Sequence, residues 1–292
     1  MIDPQALRAR ADHILELHET GRVQEALDAC AGLLHEADGA DLDHEVVRES
    51  VFTARFEQGV LLTELGDLEA AATAYASAAA TPTDLDDPDQ RHELAMALLN
   101  QGICLDTLGD PGRALAVYDR LVVRLGDADD PVTADQVVRA RVNRAAAMLA
   151  LGRASEALTV AEALQGELDP TDLLEAEQRS MATRLRAAAL IELGRPEQAA
   201  EVLTDVERCS DEEPAARRQV VAAVGERARL LLDLDRQGEA LDLLERTVRR
   251  YEEDEDPEVA EIVVDLLAAE AEVLEHIGEH DRAARLRHRV GG

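Results

Sequence analysis

A small turn motif recurs along this chain at a nearly constant interval, and this repetition limits the fold more than any other feature. The motif is centred on a glycine, or once on an aspartate, and an alanine follows five residues later. The central positions are Gly21, Gly66, Gly109, Gly152, Gly194, Asp235 and Gly278, which lie between 41 and 45 residues apart. Such a period is typical of solenoids, in which each unit buries its apolar face only against its neighbours. The sequence therefore predicts seven stacked units instead of separate globular domains.

Each unit has the pattern of two helices joined by a tight turn. In the third unit, Leu94, Leu98 and Leu105 recur at helical spacing and indicate an apolar face on the first helix. Gly109 then allows the left-handed backbone that commonly ends a helix, and Tyr118 belongs to the apolar face of the second helix. We expect about fourteen helices, with first helices of about twenty residues and second helices of about fourteen.

An acidic residue followed by proline marks where several first helices begin, because the acid can cap free N–H groups and proline fits the first turn. These pairs are Asp87-Pro88, Asp130-Pro131, Asp169-Pro170, Glu213-Pro214 and Asp256-Pro257. We expect one all-α, right-handed superhelical α-solenoid over residues 1–292. Its repeats are expected at about 4–40, 41–83, 84–127, 128–168, 169–211, 212–254 and 255–292.

The charge of the chain is strongly negative. Its 62 acidic residues face 30 basic ones, all of them arginine, so that the formal net charge is −32. This charge opposes non-specific binding to nucleic acids and to anionic membranes. Two origins of the acidity remain open, a G+C-rich coding bias and adaptation to high salt.

The sequence also predicts a cytoplasmic location. The first residues, Met1-Ile2-Asp3-Pro4, have neither the basic nor the apolar segment of a signal peptide, and no apolar run is long enough to span a membrane. Cys30, Cys104 and Cys209 are far apart and lack CxxC spacing, which suits three free thiols in a reducing compartment.

A column of small residues completes a resemblance to the tetratricopeptide repeat superfamily. Seven positions before the turn residue the chain has Gly59, Gly102, Ala145, Ala187, Ala228 and Ala271, and nine positions after it come Tyr75, Tyr118, Leu203 and Leu244. Leu99-Asn100-Gln101-Gly102 is similar to a bacterial subfamily whose repeats exceed the usual 34 residues. The resemblance covers essentially the whole chain. It implies a non-enzymatic scaffold or adaptor that binds a peptide or helix of a partner protein in a concave groove lined by the first helices.

Two sets of polar side chains on the first helices are candidates for contacts with such a partner. Asn100 and Asn143 are the only asparagines, and the resemblance implies that an asparagine at this place can grip the backbone of a bound peptide. The second set would attract acidic groups and consists of Arg139, Arg144, Arg184, Arg186, Arg227 and Arg229. For both sets the alternative is a structural bond to a neighbouring helix.

No catalytic, cofactor or metal site is predicted. The chain has no GxSxG context and no glycine-rich phosphate loop after a strand. His276 and His280 are separated by the turn at Gly278, which argues against a shared zinc site. Acid-rich loops such as residues 84–87 lack the ligand spacing of a calcium loop.

Other functions and an oligomer remain open at this level. One alternative is a regulatory sensor for a small anionic ligand or a signalling peptide, and another is an accessory subunit of a bacterial enzyme or defence assembly. The last helix carries Arg282, Arg285, Arg287 and Arg289. This helix is expected either to cap the solenoid with a polar face or to dock on the acidic flank of a second copy in a homodimer.

Overall fold

Consecutive helix pairs build the chain, as the repeat predicts. The computed structural model describes residues 3–169, 172, 175–209 and 211–290, and it contains no strand within them. The first helices of the seven pairs are α1 Pro4–Glu19, α3 Glu45–Glu64, α5 Pro88–Thr107, α7 Pro131–Ala150, α9 Ala176–Glu192, α11 Pro214–Asp233 and α13 Pro257–His276. The second helices are α2 Val23–Glu36, α4 Leu68–Ala78, α6 Pro111–Leu125, α8 Ala154–Glu167, α10 Pro196–Val202, α12 Gln237–Tyr251 and α14 His280–Val290.

Packing divides the chain into two compact units, Met1–Leu151 and Gly152–Gly292, and the division falls between the two helices of the fourth pair. In the first unit α1, α3 and α5 each pack on their own second helix, and α1 and α5 also pack on the next first helix. In the second unit α9 packs on α10 and α11, α11 packs on α12 and α13, and α13 packs on α14. Each unit therefore has the helix-pair stacking of a tetratricopeptide-like solenoid.

The turn residues have the backbone that the sequence predicts. The six turn glycines have φ between 69° and 87°, and Asp235, which takes the place of glycine in the sixth turn, has φ 57°. In the second turn Asp67 N–H donates to Leu62 O at 2.9 Å and Gly66 N–H donates to Thr63 O at 3.0 Å. These two bonds form a Schellman motif, which satisfies the last carbonyl groups of the first helix before the chain reverses.

Small residues in the first helices make room for side chains of the second helices. A Cβ atom added to Gly102 would lie 2.2 Å from Cε1 of Tyr118, and one added to Gly59 would lie 2.7 Å from Cε1 of Tyr75. Both tyrosine rings are buried. The glycines of the small-residue column therefore lie where the two helices of a repeat approach most closely.

Three of the five predicted helix starts have the expected cap. Asp87, Asp130 and Asp256 accept hydrogen bonds from backbone N–H groups of the first turn, and a proline follows each of them. Glu213 stands at the predicted cap of α11 but makes no side-chain cap bond.

The fifth repeat departs from the prediction at two places. Its first helix begins at Ala176 instead of next to Asp169, and Pro170 lies outside the described residues. Its second helix, α10, spans only seven residues and continues as a 3₁₀ helix, Leu203–Arg208. In that tighter helix Asp205 accepts a hydrogen bond from the buried Gln165 at 3.3 Å, a polar contact that no spacing in the sequence indicates.

Candidate functional site

An uncharged surface lies on two adjacent first helices of the first unit. On α5 it consists of Met96, Asn100, Ile103 and Thr107, and on α7 of Asn143, Ala146 and Ala150. The spacing of four, three and four residues puts each set on one helical face, and α5 and α7 pack against each other. None of these side chains is buried, and Ile103 is 42% exposed. We call these seven residues the neutral stripe.

The neutral stripe differs in charge from the same positions of the other first helices of its unit. The corresponding face carries Asp12 and Glu19 on α1, and Glu57 and Glu64 on α3. On α5 it carries no ionisable group, and on α7 only Arg139 belongs to it. In a chain with a formal charge of −32, a surface without acids can be desolvated by a partner at little electrostatic cost.

The two predicted asparagines differ in their bonding. Asn143 hydrogen-bonds the hydroxyl of Tyr118, which itself donates to Asp106 Oδ2 at 2.7 Å. Burial raises the pKa of the Asp106 carboxyl. For Asn143 the structure therefore favours the structural alternative. Asn100 is half-buried and its amide has no protein partner among the described residues, so its donors and its acceptor remain available.

Arg144 and Arg186 form the structural bonds that the sequence analysis left open as the alternative to partner binding. Arg144 Nε donates to Asp119 Oδ1, on the preceding second helix, at 2.6 Å. Arg186 Nε lies 3.3 Å from Glu162 Oε1, again on the preceding second helix, and its Nη1 donates to Gln165 at 2.7 Å. For these two arginines the structure therefore favours the structural alternative. Their charges are used to link neighbouring helices.

The other four predicted arginines also differ from one another. Arg139 forms an ion pair with Asp135 on the same helix, at 3.1 Å. Arg184 donates to Glu226 Oε1 of the next first helix, with Nε at 3.0 Å. Arg229 is exposed and has no acidic partner among the described residues. Arg227 is half-buried and is bonded within the protein.

The last helix is tied to the chain that it caps. Its ion pairs with α12, with the residue that follows α12 and with α13 are Arg282–Glu245, Arg289–Glu252 and Arg287–Glu275. Docking of this helix on a second copy remains a prediction.

Sequence analysis missed two polar groups of the first unit. His18 lies between Glu57 and Glu64 of the next first helix, and Arg55 lies in a small cleft without any acidic partner. The cleft beside Arg55 also depends on the loop after α2, whose path the repeat does not specify.

Among the described residues no group of three or more His, Cys, Asp or Glu side chains is arranged to hold a metal ion. The three cysteines are buried free thiols, and burial raises the pKa of Cys30 to about 12. Within the described helices, none combines the length and the apolar character that a membrane span needs.

Comparison with known proteins agrees with the helix-pair architecture. The tetratricopeptide repeat family model matches residues 44–86, which contain α3 and α4. A tetratricopeptide repeat therefore occupies this second helix pair, and the other pairs share its helix–turn–helix architecture. A search of curated protein sequences found no significant match.

Three solved structures resemble this chain over almost its full length at low identity. The apo form of the quorum sensor NprR from B. thuringiensis has a TM-score of 0.57 and 10% identity, over 99% of this chain and 88% of that one. NprR in complex with its cognate peptide NprX gives 0.50 and 11%, with the same coverage. The assembly chaperone of RpL4, Acl4, gives 0.50 and 20%, over 97% of this chain and 100% of that one. At these identities the likeness establishes the fold.

Proposed function

We propose that this protein is a non-enzymatic interaction scaffold that binds a peptide or helix of a partner protein on the neutral stripe of α5 and α7. The observation that carries the proposal is the absence of acidic groups from this face of a chain with 62 acids. Stacked helix pairs offer extended surfaces that suit bound chains. The complex of NprR with its peptide NprX supports a peptide as the occupant.

The stripe suggests which interactions hold the partner. Ile103 and Met96 offer apolar area that a partner side chain buries, at about 25 cal/mol per Å². Asn100 offers a donor and an acceptor, which is the pair that a peptide backbone needs. Arg144 and Arg186 are not part of the proposed site because their charges are already paired within the fold.

Selection of peptides from a random phage library tests this proposal. Peptides enriched on the wild-type protein are expected to bind the Ile103→Glu variant at least about tenfold more weakly, because a charge in the apolar contact must be desolvated. Asn100→Ala is expected to weaken the same peptides by a smaller factor. Val123→Glu on α6 is the matched control, since Val123 is 85% exposed and lies outside the stripe. Equal binding to wild type and to both stripe variants would overturn the proposal.

A further inference from the structure

A cleft of about 270 Å³ opens in the first unit between α2, α3 and α4. Its walls combine the apolar side chains Leu34, Leu42 and Val51 with Arg55 and Gln58 of α3. No residue of the neutral stripe lines it. This volume is just below the usual range of about 300–1,000 Å³ for ligand pockets, so the cleft suits a group of about amino-acid size.

The guanidinium group of Arg55 forms no ion pair with an acidic side chain of the described residues. Its Nη1 donates to Ser77 O at 3.2 Å and to Thr81 Oγ1 at 3.1 Å, both neutral acceptors. No carboxylate of the described residues lies within ion-pair distance, and its Nε and Nη2 donate to no atom of the described chain. Burial lowers the pKa of the Arg55 guanidinium, and no acid acts in the opposite direction.

The contact between α2 and α3 lacks a carboxylate that the equivalent contacts of later repeats have. Arg144 pairs with Asp119, and Arg186 pairs with Glu162. At this seam the position of the arginine holds Gln58, and the position of the acid holds Ala31. Gln58 makes no hydrogen bond with another described residue. This seam therefore has neither the arginine nor the acid of those ion pairs, and Arg55, three residues before Gln58, faces open space with a free guanidinium edge.

We propose that this cleft binds a carboxylate carried on a compact aliphatic group. The Nε and Nη2 donors of Arg55 match the two oxygens of a carboxylate, and the Gln58 amide can add a third donor. The aliphatic body then packs against Leu34 and Val51. The group can be a free small carboxylate or the C-terminal residue of a peptide, and the inference does not depend on the neutral stripe.

A second charged residue, Asp38, tests whether electrostatic attraction holds the ligand in this cleft. Its side chain also lines the cleft and is exposed, so it opposes an anion by Coulomb repulsion. Replacement of Asp38 by asparagine keeps the shape and removes the repulsion. Asp38→Asn is therefore expected to strengthen binding of a carboxylate while Arg55→Gln weakens it.

Titration of the ¹⁵N-labelled full chain with N-acetyl-leucine tests the proposal by amide shifts at Gly39, Ala40 and Ser77. N-acetyl-leucinamide, which lacks the charge, is expected to bind at least about tenfold more weakly, and Arg55→Gln is expected to lose a similar factor. Arg120→Gln is the matched control, because Arg120 is an exposed arginine of the same unit that also lacks an acidic partner. Its affinity is expected to equal that of the wild type.

The outcomes separate the two sources of the carboxylate from failure of the proposal. An octapeptide ending in leucine that binds at least about tenfold more tightly than N-acetyl-leucine identifies a chain end as the ligand, and equal affinity identifies a free small carboxylate. Equal binding of acid and amide overturns the inference, and so does equal loss in Arg55→Gln and Arg120→Gln. If Arg55→Gln does not fold, an unchanged or weaker affinity of Asp38→Asn overturns it instead.

Discussion

At the scale of single residues, two positions of a repeat set the packing between its two helices. One lies seven residues before the turn residue and the other lies nine residues after it. Gly59 and Gly102 face tyrosines, whereas Ala187 is paired in the sequence with Leu203. In the first repeat the larger Ile14 has the small Cys30 as its counterpart, and both belong to one buried cluster. In these four repeats a small residue on one helix therefore accompanies a larger one on the other, which keeps the seam close-packed.

Gly102→Ala tests this size matching. The added Cβ would overlap the buried ring of Tyr118, and we expect a loss of about 1–3 kcal/mol in the free energy of unfolding, measured by urea denaturation. The double variant with Tyr118→Leu is expected to lose less than the sum of the single variants. Gly112→Ala on α6 is the control, because its Cβ would have ordinary contacts and alanine favours helix. Equal losses in the free energy of unfolding for Gly102→Ala and Gly112→Ala would contradict the size matching.

The sequence predicted the features that depend on one residue or one spacing. The left-handed backbone at the turn glycines and the close approach at Gly102 follow from local geometry and from the period. The state of each arginine could not be predicted in this way, because it depends on which side chain lies across the seam. Arg144 and Asp119 are 25 residues apart and meet only when α7 packs on α6.

At the scale of helices, ion pairs between neighbours recur along the chain. Arg48 of α3 pairs with Glu93 of α5 at 2.7 Å, and burial raises the pKa of that carboxyl more than the arginine lowers it. Arg91 bridges to Asp130, the residue that caps α7. These contacts link α3 to the beginning of α5, and α5 to the beginning of α7, within the first unit.

A double-mutant cycle measures the link between α7 and α6. Arg144→Ala and Asp119→Ala are expected to show a coupling of about 0.3–1 kcal/mol in urea denaturation, since both side chains are partly exposed and solvent screens the pair. Arg229→Ala, which removes an exposed arginine without an acidic partner, is expected to leave stability almost unchanged. Zero coupling between Arg144→Ala and Asp119→Ala would show that the pair does not link the helices. A loss of stability in Arg229→Ala equal to that in Arg144→Ala would show the same.

His18 makes the contact between α1 and α3 dependent on pH. Its Nδ1 lies 2.8 Å from Glu57 and its Nε2 lies 2.9 Å from Glu64, so both ring nitrogens meet acceptors. The hydrogen bond with Glu64 is the largest cause that raises the pKa of His18 above its usual 6.5. The stabilisation is therefore complete below that usual value and is lost as the pH rises through the folded-state pKa.

Comparison of wild type with His18→Gln between about pH 5.5 and 9 checks this sign. The difference in the free energy of unfolding is expected to be largest near the acidic end and to shrink toward the alkaline end, because only the charged ring gains from both carboxylates. A difference that grows with pH would mean that the neutral ring makes the stabilising contact.

At the scale of the whole molecule, the arrangement of charge matters more than its sum. The first unit gathers acidic groups on the exposed faces of α1 and α3 while the neutral stripe has none, although α5 and α7 belong to the same repeat series. The excess of 62 acids over 30 bases still leaves strong self-repulsion. Composition alone predicted that repulsion, but the uncharged face became evident only when the helix faces were known.

Moderate salt is therefore expected to stabilise the protein. Screening shortens the range of repulsion between surface carboxylates to about 8 Å near physiological ionic strength. The Tm, measured by circular dichroism, is expected to rise between about 10 mM and 150 mM NaCl. A flat or falling Tm would show that surface ion pairs, which salt also weakens, outweigh the repulsion. A large further rise confined to molar salt would favour adaptation to high salt as the origin of the acidity.

The most direct test of the central claim places a photo-reactive benzoylphenylalanine at position 103 in cells that naturally express the protein. The account predicts that this probe cross-links a discrete partner protein, that Asn100→Ala reduces the yield, and that the same probe at position 123 on α6 does not capture that partner. Cross-linking of the partner at position 123 with none at position 103 would contradict the account, because recognition would then occur away from the neutral stripe.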